Sequence, residues 1–177
     1  YENLDLIICH LGGGISVAVH HHGRAIDANN ALDGEGPFSP ERAGTLPAGQ
    51  LIDLCFSGQL TKDELKKRIS GRAGLTDIPA IIQSIEEGDK KAELILDAMI
   101  YNVAKAIGAS ATVLCGKIDA ILLTGGIAYS DYVISRLKKR ISFLAPIYVY
   151  PGENEMESLA FNAIGALKGE LPIQIYK

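Results

Sequence analysis

Residues 4–9 form a short apolar run broken only by Asp5 and ended by glycine, the pattern of a buried strand. Residues 15–19 alternate apolar and polar as a second strand. His22-Gly23 reads as a turn, and residues 24–27 as a third strand. Three strands joined by short glycine links predict an antiparallel meander. Residues 29–48 carry no period but hold several glycines and prolines, which predicts a long ordered loop of the kind that usually serves function. Helical patterns then dominate: residues 51–56, residues 61–69 with a Thr61-x-x-Glu64 capping box, residues 78–87, and a long helix over 89–115. The long helix has its stripe at Leu94, Ile95, Met99, Val103, Ala106 and Ile107. Its small residues from 104 to 111 would let it lie close to a sheet. A strand at 120–123, a helix at 132–143 and a strand at 147–149 come next. A last helix, capped by Asn154-x-x-Glu157, shows an apolar stripe of Met156, Leu159, Ala160, Ala163, Ile164 and Leu167. The order is a β-meander, a helical block, then β-α-β-α, which predicts a layered α/β domain with some parallel strand pairing.

Composition narrows the classes. The chain has 177 residues, is 47% hydrophobic and 21% charged, and carries a formal net charge of −4. That is a normal globular balance and excludes intrinsic disorder. The acidic balance argues against nucleic acid as a partner, because a duplex binder needs a basic face. The stretch 106–116 lies between Lys105 and Lys117 and is far short of the roughly 20 apolar residues of a membrane span. Cys9, Cys55 and Cys115 lie too far apart for a CxxC motif and read as buried, reduced thiols, which predicts a cytoplasmic setting. The start at Tyr1, almost directly into a strand, reads as a piece of a larger protein.

Glycine is the outlier at 19 residues, and it clusters. His10-Leu11-Gly12-Gly13-Gly14 joins two predicted strands. It reads either as a tight hairpin or as a turn whose backbone N–H groups face an anion, with His10 as a further donor. Leu123-Thr124-Gly125-Gly126-Ile127 ends a strand before a helix. That is a place for a ligand at a strand's C-terminal edge, or simply a close helix–strand approach. Arg42, between Pro40 and Gly44, suits either a phosphoryl or carboxylate clamp or an ordinary loop ion pair. Of His20, His21 and His22, the outer two share a strand face and could chelate, but exposed turn histidines are the simpler reading. Glu157 has a capping task, which leaves Glu155 as a carboxylate for a metal. There is no Walker motif, no GxGxxG and no nucleophile elbow.

Three segments carry a resemblance: residues 10–17 (HLGGGISV), residues 30–42 (NALDGEGPFSPER) and residues 123–128 (LTGGIA). With residues 151–157 (PGENEME), they resemble the butyrate kinases of the acetokinase family, within the acetate and sugar kinase, Hsp70 and actin superfamily. The resemblance implies a ribonuclease H-like domain, with residues 1–177 the C-terminal, nucleotide-side half of a two-domain kinase whose N-terminal half is absent. It implies ATP/ADP and Mg²⁺ as cofactors, and a short-chain carboxylate or acyl phosphate as substrate. The implied partners are the missing domain and further copies in a homodimer or higher homo-oligomer. Gly12, Gly13 and Gly14, with His10, would line the phosphates. Gly125, Gly126 and Ile127 would meet the adenosine, Arg42 would stabilise the transferring phosphoryl group, and Glu155 would lie near the metal. The chain departs from the acetate kinases at Gly13, where they carry asparagine, and at Gly74-Leu75-Thr76, where they carry a charged adenosine contact. Many superfamily members have aspartate at the position of His10. A nucleotide-binding or dimerising module without activity of its own is the other class open to such a piece.

Overall fold

The computed structural model describes residues 1–71 and 77–171, with Glu155 described by its backbone alone. Gly74-Leu75-Thr76 therefore lies outside the described residues. The strands are β1 (Asp5–Leu11), β2 (Ile15–His21), β3 (Arg24–Ala28), β4 (Ala120–Gly125) and β5 (Ile147–Pro151). The helices are α1 (Ala48–Phe56), α2 (Lys62–Ile69), α3 (Ile78–Glu86), α4 (Lys90–Ala111), α5 (Asp131–Ile141) and α6 (Glu155–Leu167). Short 3-10 turns stand at Ala31–Asp33 and Gly126–Tyr129.

The strands form one mixed sheet in the order β3-β2-β1-β4-β5. The meander is antiparallel, and β4 and β5 add in parallel. Register aligns Val17, Cys9, Leu123 and Val149 across four strands, and alternation puts their neighbours two residues away on the same face. That face supplies Ile7, Leu11, Ile15, Val19 and Ile121 to the core, all nearly inaccessible to solvent. α4 packs on β1 and β2, with α3 and α5 beside it. The helices start where side chains satisfy their free N–H groups. Thr61 and Glu64 form the expected capping box, Asp77 accepts from Ala80 N, Asp89 accepts from Lys91 N and Ala92 N, and Ser130 accepts from Val133 N.

Several expectations are corrected. α4 stops at Ala111, because Cys115 and Gly116 take positive φ (52° and 75°) and Gly116 N bonds back to Ala111 O at 2.9 Å. Its buried stripe is Leu96, Met99, Ile100, Val103, Ile107 and Ala111, whereas Leu94 is 70% exposed. By length and hydropathy α4 could cross a membrane, unlike the stretch 106–116, but this stripe is the centre of the core. Cys9 is buried as expected, while Cys55 and Cys115 are exposed, and all three are free thiols. Asn154 makes no side-chain cap at α6, so Glu157 has no capping task there. The stripe of α6 exists but is uncovered among the described residues: Met156, Leu159, Ile164 and Leu167 are all exposed, as is Phe161.

Candidate functional site

The two glycine turns meet at one end of the sheet because β1 and β4 run parallel and adjacent. Gly12–Gly14 closes the β1–β2 hairpin at the same edge where β4 runs out through Gly125 into the Gly126–Tyr129 turn. Gly125 thus leads into a 3-10 turn and not into the N-terminus of an α-helix. It sits at φ 90° with a hypothetical Cβ only 2.6 Å from Leu11 C, so the close approach at that residue is to the neighbouring strand β1 and not, as expected, between helix and strand. Gly126, by contrast, has nothing within 4 Å of such a Cβ.

Between the turns opens a cavity of about 640 Å³, within the usual range for small-molecule sites. Gly12 and Gly13 form one wall, Gly126 and Ile127 another. α3 supplies Ile78, Pro79 and Ile82, which gives the cavity an apolar slot. The opposite end carries carboxylates from Glu41 and Glu153, and among the described residues no lysine or arginine lines it. Sequence reasoning missed this contribution of α3 and that of Glu153. The Pro79 start of α3 after a capping aspartate was visible, but its placement against the turns was not.

The glycines of the first turn are needed for side-chain approach and not for unusual φ. A Cβ on Gly13 would lie 2.7 Å from Glu41 Cδ, and one on Gly12 would lie 2.8 Å from His10 Nε2 and 3.1 Å from Glu153 Oε1. The long loop is ordered as expected. Asn29 accepts from Val17 N at 2.7 Å and donates to Ile15 O and Glu35 O. Ser39, fully buried, donates to Gly13 O at 2.7 Å and accepts from Arg42 N at 3.1 Å. Glu41 N also bonds Gly13 O, at 2.9 Å. The loop and the first glycine turn are therefore one rigid unit.

Arg42 does not line the cavity. Its side chain is 18% exposed and lies against Gly14, with Cγ 3.9 Å from a hypothetical Gly14 Cβ. Nη1 donates to Glu41 O and Glu41 Oε2, both at 3.2 Å, and Nε is buried without a partner among the described residues. An orphaned guanidinium donor beside an anion-sized turn is costly unless something uses it. His10 faces away from the main cavity into a neighbouring one of about 390 Å³, where it meets Thr124 and Glu153. The strand register explains this, since His10 and Thr124 are paired positions on the same face. The backbone of Glu155 stands at the first position of α6, two residues beyond Glu153. The histidine run follows the simpler expectation, with His21 and His22 exposed at the turn. The pairing across one strand face does not arise: His20 stays in the strand, while the turn at His22 (φ 48°) brings His22 beside His21, rings 4.0 Å apart, and near Asp5.

Arranged this way, the site can hold a flat apolar group between α3 and the Gly126 turn, with a polyanionic tail at the Gly12–Gly13 turn. The carboxylates there make a hard-oxygen donor set, suited to a divalent cation such as Mg²⁺. The model of the acetokinase family matches residues 1–157. The chain is 86% identical, over its whole length, to a probable butyrate kinase of Bacteroides thetaiotaomicron, of which it covers 52%. It is 51% identical over 99% of its length to a probable butyrate kinase of Clostridium botulinum, covering 51% of that protein. The chain thus spans about half the length of the curated relatives it matches. Among solved structures, the acetate kinase of Porphyromonas gingivalis superposes with a TM-score of 0.80 at 20% identity, over 93% of this chain and 49% of that one. A propionate kinase from Francisella tularensis gives 0.75 at 20% identity, over 86% and 47%. These likenesses show the α/β fold of the acetate and sugar kinase group.

Proposed function

Because the chain belongs to the acetokinase family, we propose that it is the C-terminal, nucleotide-side half of a short-chain carboxylate kinase. The two-domain protein would transfer the terminal phosphoryl group of ATP to butyrate or a related short or branched carboxylate, and run the reverse reaction to make ATP. The observation that carries this reading is the cavity framed by both glycine turns and the apolar side of α3. Adenosine lies against Gly126 and Ile127, and the phosphates run toward Gly12 and Gly13. Gly125 supports that wall from behind.

The chemistry asks little covalent work of the protein. A carboxylate is already a nucleophile at neutral pH, so no general base is needed; the barrier lies in bringing two anions together. Arg42 answers that with a cation at the edge of the first turn, its backbone N–H bonded to Ser39 and its Nη1 to Glu41, and its partnerless Nε is the donor left for an equatorial oxygen. His10 adds a donor at the back of the turn. Glu41 and Glu153, with Glu155 two residues further on, are the carboxylates that would hold Mg²⁺. When bound, Mg²⁺ supplies charge neutralisation on the phosphate oxygens. A side chain at Gly13 would have to push aside the Glu41 carboxylate, the free end of a flexible side chain. Glycine there, in place of the asparagine of the acetate kinase pattern, supports a butyrate-type enzyme.

The second reading, a nucleotide-binding module without activity of its own, is favoured by one observation: both glycine turns and α3, all within this chain, frame the cavity. The uncovered apolar side of α6 supports a need for the other half or a second copy. Three free cysteines fit a reducing, cytoplasmic setting. The test is a coupled acyl phosphate assay on the two-domain protein with Arg42→Ala. The expected result is a kcat lower by roughly 10²-fold or more. A raised KM with kcat intact would remove Arg42 from the transition state.

A further inference from the structure

We infer that Asp5, His21 and His22 form a binding site for one divalent transition-metal ion of the zinc type, at the end of the sheet away from the glycine turns. β1 runs seven residues from Asp5 to Leu11, so the site stands roughly 20 Å from the cavity and does not rest on the nucleotide reading.

The strand register sets the first two ligands side by side. Asp5 pairs with His21 across the antiparallel β1–β2 ladder, and one step along it His22 N donates to Leu4 O at 3.1 Å. The Asp5–His21 pair therefore falls at a non-hydrogen-bonded position, where facing side chains come closest. His21 Nδ1 lies 2.5 Å from Asp5 Oδ1. The turn brings the third ligand round. His22 and Gly23 connect the paired residues His21 and Arg24, and both take positive φ, 48° and 79°. Continued strand backbone would send His22 to the opposite face from His21, and the left-handed φ folds it back. Its ring stacks on that of His21, with centroids 4.0 Å and planes 18° apart. One ligand atom from each of the three residues lies within 4.8 Å of the others. The backbone beneath them is fixed as well. Asp5 N donates to Asp119 Oδ2 at 2.7 Å, and Asp119 N donates to Asp5 O at 2.8 Å.

Two imidazole nitrogens and one carboxylate oxygen suit Zn²⁺ and its neighbours, whereas Mg²⁺ and Ca²⁺ take oxygen donors. The ion takes the place of the hydrogen between His21 Nδ1 and Asp5 Oδ1. That hydrogen moves to His21 Nε2 through solvent, so a neutral imidazole coordinates with no net loss of a proton. Stacked rings cannot both aim a nitrogen at one ion, so the exposed His22 ring turns out of the stack to coordinate. The Asp119 carboxylate adds negative charge behind Asp5, while Arg24, across the turn from His21, opposes the cation.

The experiment is calorimetric titration of the chain with Zn²⁺ in excess Mg²⁺, which keeps the carboxylates beside Gly12 and Gly13 occupied by the harder ion. Every protein carries Cys55→Ser and Cys115→Ser, so that the two exposed thiols take no part. Asp5→Asn, His21→Gln and His22→Gln are compared with this parent and with His20→Gln, whose side chain lies on the other face of β2. All four substitutions keep the backbone bonds described above. Side-chain ¹⁵N spectra of the histidines accompany each titration. The expected result is one Zn²⁺ per chain, with affinity about tenfold or more lower in each of the three ligand variants and unchanged in His20→Gln. The ring signals of His21 and His22 should move together as Zn²⁺ is added. No saturable binding below about 1 mM Zn²⁺ would overturn the inference. Parent-level affinity in any one of the three ligand variants would do so too, as would zinc-induced shifts at His10 or His20 in place of His21 and His22.

Discussion

Gly125 and Gly126 are neighbours with opposite demands, and exchanging each for alanine separates fold from ligand. Gly125 sits at φ 90°, ψ 172°, a region that is essentially glycine-only and costs another residue about 1–3 kcal/mol. Its added methyl would also press on the backbone of Leu11, 2.6 Å from the carbonyl carbon and 2.9 Å from the nitrogen. Neither atom can move without disturbing the β1–β4 pairing, so overpacking adds about 1–3 kcal/mol. Together these put Gly125→Ala about 3 kcal/mol or more below wild type. With a urea slope of about 2 kcal/mol per M, the unfolding midpoint drops by about 1.5 M. Gly126 has ordinary φ and open space around its Cβ, so Gly126→Ala stays within about 0.5 kcal/mol. The measurement is urea denaturation tracked by circular dichroism. A Gly125→Ala protein as stable as wild type, or a Gly126→Ala protein that is the destabilised one, would refute the packing argument.

Ser39→Ala leaves Arg42 N without its buried acceptor and should cost about 1–3 kcal/mol in the same denaturation assay. Burial pushes the Cys9 thiol up to about 12. Native protein near pH 8 should therefore titrate two thiols quickly with a disulfide reagent, from Cys55 and Cys115, and the third only after unfolding. The same shift fixes a pH dependence. Above pH 9.0 the unfolded chain releases the Cys9 proton while the folded chain keeps it, so this contribution to stability is complete below that pH and is lost as pH rises toward 12. A Cys9→Ala variant should lack that component of alkaline destabilisation.

Local pattern made much of the fold legible. The meander, the parallel additions and most helix starts come from apolar periodicity, glycine turns and caps such as Thr61 and Glu64. Residues 94–96 are three consecutive apolar positions, Leu94, Ile95 and Leu96, and periodicity alone cannot say which of them a partner will cover. Packing against β1, β2 and α5 selects Leu96 and leaves Leu94 in solvent. The stripe on α6 is equally regular, yet nothing among the described residues covers it, because amphipathicity reports a need for burial and not its source. For the site, glycine clustering pointed to both turns, and the parallel pairing of β1 with β4 brings them together. Glu41 and Glu153 fall inside segments that carry the resemblance, but their approach to Gly13 and Gly12 comes across sequence separations no motif spans. Arg42 stood out for its stiff loop. That loop is indeed anchored, but the guanidinium is engaged by its own neighbour Glu41 at the edge of the cavity.

The central claim is that the cavity between the two glycine turns holds a nucleotide. Titration calorimetry of the chain with Mg·ATP and Mg·ADP, beside Gly126→Val, tests it most directly. The nucleotide reading predicts micromolar-to-millimolar binding by wild type, and its loss in a Gly126→Val protein that unfolds at the wild-type urea concentration. Equal binding by both proteins would contradict it, as would a folded, cooperatively melting wild-type chain that binds neither nucleotide.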